Sequence, residues 1–177
     1  MKEELEFQES QRFNQWWIIL IIMLPVIGIF LSIYISQIST GKPVGDKPMS
    51  DTMLIVTTIL FILFTAMLTA VFFYMRLDTV INEEGVYERM YPFQFKFGFT
   101  PWDNIMDAVV IKKNLIEKYR YRGWGMRRRF REKSYNTFGN YMLRLTLQNN
   151  KKICIGTQMP EELTKFLEKL NAEREQK

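Results

Sequence analysis

The chain has 177 residues and not one histidine. The commonest general base and the commonest metal ligand are therefore both missing. Cysteine is nearly absent: Cys154 stands alone. One thiol cannot cross-link a domain, so nothing points to an oxidising compartment. In the strand-like run Lys152-Ile-Cys-Ile-Gly156 it reads as a small core hydrophobe. No Ser or Cys stands in a nucleophile motif, and no Gly-rich segment has the strand–loop–helix setting of a phosphate cradle. Charge is missing in two places, because residues 16–35 and 53–75 contain no Asp, Glu, Lys or Arg.

Those uncharged runs are 20 and 23 residues long. At about 1.5 Å per residue, roughly 20 apolar residues cross a hydrocarbon core about 30 Å thick. The expected anchor is a two-span hairpin over 16–75, with helices at 16–38 and 53–75. The loop 39–52 between them carries Gly41, Pro43, Gly45 and Pro48. Trp16 and Trp17 mark one interface, and Pro25 is expected to kink the first helix. Small residues recur four apart, at Gly28, Ser32 and Ser36, at Thr65 and Thr69, and at Ala66 and Ala70. Such stripes seat helices against each other in lipid, within the hairpin or in a homo-oligomer.

Residues 1–15 form a polar, acidic segment with Phe7 and Phe13 able to rest on a membrane surface. No small-x-small cleavage site follows the first run, so it reads as retained. Two spans put both termini on one side. The basic C-terminal part and the free thiol point to the cytoplasmic side of an inner or plasma membrane, with the chain multi-pass.

Residues 76–177 hold twenty Lys/Arg against thirteen Asp/Glu. Here the apolar period changes from helical to alternating. Strands are expected at 77–82, 86–91, 108–112 and 141–147, with a partner strand around Ile153 and Ile155. Asn149-Asn150 suits a tight turn, since Asn tolerates positive φ. Trp102 and the alternating Phe93, Phe95, Phe97 and Phe99 read as core. From Pro160 the positions Leu163, Phe166, Leu167 and Leu170 give one apolar helical face. The fold class is thus α+β: a membrane hairpin, then a small antiparallel β split barrel or sandwich capped by a C-terminal helix.

That order, with Phe99-Thr-Pro-Trp-Asp-Asn-Ile105 midway and Lys152-Ile-Cys-Ile-Gly-Thr-Gln-Met-Pro-Glu-Glu-Leu163 near the end, resembles the bacterial pleckstrin-homology-like (PH-like) domains. The whole chain is similar to an uncharacterised bacterial membrane family through Phe7-x-Glu-x-Gln-x-Phe13, Gly123-Trp-Gly125, Tyr135-Asn136 with Gly139-Asn140, and Ile155-Gly-Thr-Gln158. The resemblance implies a fold and an anchor, and no activity. The paired basic residues of eukaryotic phosphoinositide binders are absent around Glu83-Glu84-Gly85.

Between residues 114 and 140 lies a basic, aromatic loop. Lys118 to Lys133 contains eight cations and one acid, interleaved with Tyr119, Tyr121, Trp124, Met126 and Phe130. The expected contact residues are Lys118, Arg120, Arg122, Trp124, Arg127, Arg128, Arg129, Arg131 and Lys133. Their partners would be anionic lipid headgroups or an acidic protein. No nucleic-acid motif frames the loop, and the pattern calls for no metal and no cofactor. Acidic pairs are ordinary: Asp103 and Asp107 need not share a face, Glu83 and Glu84 sit in a turn, and Glu161 and Glu162 begin a helix. The expected function is a non-catalytic, membrane-tethered interaction module. The alternatives are a small accessory subunit working through the hairpin, and an enzyme of unknown class.

Overall fold

The computed structural model describes residues 5–12, 16–39, 41, 49–121, 125–136 and 139–175, with the side chains of 16, 18, 22, 119, 120 and 175 left aside. Most of the loop 39–52 therefore lies outside the described residues. The chain divides into two compact units, Phe13–Tyr74 and Met1–Arg12 with Met75–Lys177.

The first unit holds two helices, α1 (Trp16–Tyr34), continued by a wide π-turn at Ile35–Ser39, and α2 (Asp51–Tyr74). Both are long and apolar enough to cross a membrane. α1 runs through Pro25. Apolar side chains on all sides of the helices are exposed, Ile21, Leu24, Leu60 and Leu63 among them. A helix apolar all round belongs in an apolar surrounding. The hydroxyls of Thr57, Thr58, Thr65 and Thr69 each donate to the carbonyl four residues back, so each is satisfied without water. Phe30 and Phe61 stack at 4.5 Å between the helices. Gly28 does not seat the partner helix as the small-residue stripe suggested, because a Cβ there meets nothing within 4 Å.

The second unit is two sheets and two helices. The four-stranded sheet has the order β1-β2-β3-β4, from β1 (Phe7–Arg12), β2 (Arg76–Ile81), β3 (Gly85–Tyr91) and β4 (Gly98–Pro101), every pair antiparallel. The five-stranded sheet has the order β5-β8-β9-β7-β6, from β5 (Ile105–Lys112), β6 (Gly125–Arg129), β7 (Glu132–Asn136), β8 (Tyr141–Leu147) and β9 (Lys152–Thr157). β7 and β9 are parallel, an exception to the expected antiparallel arrangement. It arises because β8 and β9 form a tight hairpin through Asn150, at φ 58°, and β9 fills the place between β8 and β7.

Segment 1–15 is corrected here. Phe7–Arg12 is an edge strand of the β unit, with Phe7, Glu9 and Gln11 buried and the residues between them exposed. Alternation at period 2 buries one face of a strand, however polar its composition. Phe7 meets Phe166 at 5.9 Å instead of resting on a membrane. Phe13 lies outside the described residues.

The inner faces meet in a core of Leu77, Ile81, Val86, Met90, Leu143, Leu145, Ile153 and Ile155. Helix α4 (Pro160–Glu175) contributes Leu163, Leu167 and Leu170. Trp102 is core, as expected. Its indole N–H donates to the Asn82 carbonyl at 2.8 Å, and Arg174 lies over its ring. The phenylalanine run is not core: Phe93, Phe95, Phe97 and Phe99 are all exposed. The strand pairing with β3 starts only at Gly98, so 92–97 is a connector and its alternation has no sheet to face.

Polar groups also cross between the sheets. Glu9, Thr79 and Glu88 form one inner row of the four-stranded sheet. Glu9 accepts from the Thr157 hydroxyl and the Gln158 backbone N–H, both at 2.7 Å. Gln11 donates to the Gly156 carbonyl at 2.8 Å. Burial raises the pKa of Glu9 above the usual carboxylate range, against the pull of those hydrogen bonds.

Candidate functional site

The basic segment is not a loop. Asn114 caps a short helix, α3 (Leu115–Arg120), in a capping box with Glu117. After it comes the β6–β7 hairpin. Arg122 and Trp124 lie outside the described residues, and so does the side chain of Arg120.

The pleat sorts the remaining cations. Paired residues project to the same face, and successive residues to opposite faces. Arg127 pairs with Ser134, which pairs with Cys154, which pairs with Arg144. Arg129 pairs with Glu132, which pairs with Lys152. Arg127, Arg129, Arg144 and Lys152 therefore share the outer face of the five-stranded sheet, and exposed Arg131 sits at the hairpin turn. Arg128 and Lys133 belong to the inner face.

Lys133 is thereby corrected as a contact residue. Its ammonium donates to Glu88 Oε1 at 3.0 Å, and the Tyr135 hydroxyl donates to the same oxygen at 3.3 Å. Burial works to lower the Lys133 pKa, but the bonds to Tyr135 and Glu88 outweigh it and the net shift is upward. Burial raises Glu88, opposed by the hydrogen bond and charge of Lys133. The pair joins the two sheets, with the Glu88 carboxylate buried and Lys133 partly exposed.

A pocket of about 260 Å³ opens on the outer face, lined by Arg131, Arg144, Lys152, Glu117, Tyr121 and Glu132, among others. Its floor is built by Tyr121, whose hydroxyl bonds to Glu132 and touches Cys154 Sγ at 3.6 Å, and whose carbonyl accepts from Asn136. Burial, then the bond to Glu132, pushes the Tyr121 hydroxyl well above its ordinary pKa. Burial likewise pushes the Cys154 thiol up to about 11. Beneath, Lys113 donates to Asn136 Oδ1 at 2.9 Å and to the Gly139 carbonyl at 3.1 Å, and burial lowers its pKa. Lys113, Asn136 and Cys154 are buried and support the floor from beneath.

The β6–β7 turn and α3 also expose apolar side chains. Phe130 is 93% exposed between Arg129 and Arg131, and Leu115 and Ile116 on α3 are exposed as well. Lys118, also on α3, lies in a helix rather than a hairpin. The site thus unites Arg127, Arg129 and Arg131, which the cation run pointed to, with Arg144 and Lys152, which it did not. The signal for Arg144 was present in the alternation of 141–147, where it stands opposite the apolar face. Among the described residues no group of three or more Cys, Asp or Glu could hold a metal ion. No family model, no curated protein and no solved structure matches this chain.

Proposed function

We propose that this chain is a membrane-anchored, non-catalytic interaction module that binds anionic groups on the outer face of its five-stranded sheet. The observation that carries this reading is the gathering of Arg127, Arg129, Arg144 and Lys152 from three strands on one outer face with Arg131 at its turn, against Asp107, Glu117 and Glu132, where Arg131, Arg144 and Lys152 line one pocket. Cations so placed attract carboxylates or phosphates and speed encounter with acidic partners. The pocket suits one anionic group better than a whole drug-sized ligand.

The anchor is the α1–α2 hairpin. The pairing of Arg12 with Arg76 supports it, because two residues paired across a sheet must lie on one side of any membrane crossed between them. The reading puts the β unit in the cytoplasm of a bacterial cell, at the inner membrane, supported by its basic excess and lone thiol. It also groups the β unit with the PH-like domains, supported by two packed sheets closed by a C-terminal helix.

The test uses the full chain in nanodiscs of neutral lipid, titrated with a fluorescent polyglutamate peptide. A second arm compares neutral with anionic lipid. Binding that weakens with salt, and is lost when Arg127, Arg129 and Arg144 are all Ser, supports the reading. Equal behaviour of wild type and variant in both arms overturns it.

A further inference from the structure

The outer face of the four-stranded sheet carries the other large aromatic surface of the β unit. Phe93, Phe95, Phe97 and Phe99 are exposed, Phe95 by 75%. The rings of Phe95, Phe97 and Phe99 pair with side chains on that face. Tyr87 and Phe99, register partners, stack at 4.5 Å. Phe95 meets Tyr91 edge-on at 5.8 Å. The Arg89 guanidinium lies 4.3 Å above the Phe97 ring, and Arg76 lies 5.7 Å from that of Tyr91. Both arginines share Asp78, which fixes them on the face. The result is an ordered plate of rings edged with cations. An exposed apolar patch of this kind marks an interaction surface.

Its position in the chain says what covers it. Tyr91 pairs with Arg76, and Arg76 pairs with Arg12. Arg76 is two residues beyond Tyr74, the last residue of α2, and Arg12 is four residues before Trp16, the first of α1. The connector 92–97 therefore leaves the sheet at the end where the chain departs for both apolar helices.

We infer that this aromatic face is a membrane-docking surface that lies in the headgroup region of the bilayer anchoring the chain. The inference rests on the anchor reading above. Aromatic rings partition to the membrane–water interface, and arginines beside them reach lipid phosphates while their stems stay among the rings. The inner faces of the two sheets meet in the core, so their outer faces point away from each other. With the aromatic face on lipid, the cationic pocket faces the aqueous side, where its anion comes from an acidic protein segment.

The test is nitroxide labelling of the full chain in nanodiscs, with Cys154→Ala as background. Labels go on at Phe95→Cys, at Arg129→Cys on the cationic face, and at Leu63→Cys in α2. Residues 95 and 129 are exposed, so labelling should not disturb the fold. The expected result is that dissolved oxygen relaxes the labels at 63 and 95 several-fold more than an aqueous nickel chelate does, with the reverse at 129. A label at 95 that behaves like the one at 129, while 63 reports lipid, overturns the inference and leaves the anchor standing. So does a label at 95 shielded from both relaxants, which would mean a second copy or another protein covers the face. A label at 63 open to the chelate overturns the anchor and the inference together.

Discussion

Lys133 Nζ lies 3.0 Å from Glu88 Oε1 and ties β7 of one sheet to β3 of the other from the inside. The Glu88 side chain is 2% exposed and the Lys133 side chain 24%. Lys133→Met would strand a buried carboxylate. The expected loss is about 3 kcal/mol, the low end for breaking a buried pair, since Lys133 keeps some contact with water. Chemical unfolding in detergent measures it. Lys133→Met with Glu88→Leu should recover most of the loss, because no charge is then left alone.

Glu9 is buried, and its pKa is raised above 4.5 by that burial. A carboxyl with a raised folded pKa takes up its proton on folding. Its contribution is greatest below 4.5 and is lost as pH rises through the folded value. In Glu9→Gln that contribution disappears. The thermal midpoint of the variant relative to wild type should rise as pH goes from 4.5 toward neutral. A difference that is flat with pH would contradict the assignment.

The Cys154 thiol is buried, with its pKa pushed up to about 11, so almost no thiolate exists at neutral pH. Maleimide should leave the native protein unlabelled and react fully after denaturation. Mass spectrometry reads both states.

Neighbouring arginines should differ in consequence. Arg127→Ser and Arg129→Ser each remove a cation from the outer face, at about 1 kcal/mol if the partner is a charged surface, or roughly fivefold in affinity. Arg128→Ser removes one from the inner-facing row at the sheet edge and should cost less. Titration with an acidic peptide separates them.

A Cβ at Gly85 would run into the Thr100 carbonyl and the Phe99 ring. Gly85→Ala should destabilise the β3–β4 pairing by about 1–3 kcal/mol, as overpacking does. Faster amide exchange at Val86 and Tyr87 would accompany the lower midpoint.

The elements with strong periodicity could be read from sequence: the two apolar helices, the strands around Leu143 and Ile153, and helix α4. Two kinds of information could not. Strand β1 has few apolar residues, and its burial depends on polar partners, Thr157 and Gln158, almost 150 positions away. The run Phe93 to Phe99 has perfect alternation but no pairing partner until Gly98, so a local pattern promised a buried face that tertiary structure does not supply. At the site, counting cations found Arg127, Arg129 and Arg131, and could not tell that Lys133 is committed to Glu88. That depends on which side of the pleat each residue takes, and on what the facing sheet offers.

The register of Arg12 opposite Arg76 has a consequence for how the protein is made. The pair of apolar helices is an insertion inside the β unit, not a tail attached to it. On the ribosome, the strand at 7–12 emerges first and must wait, unpaired, until residues 76–81 follow both apolar helices out of the tunnel. The β unit cannot close before both apolar helices have been synthesised, so its folding comes after theirs in time. A soluble piece starting at residue 75 would also lack the strand whose Glu9 and Gln11 hold β9, and its sheet would end at a bare β2 edge.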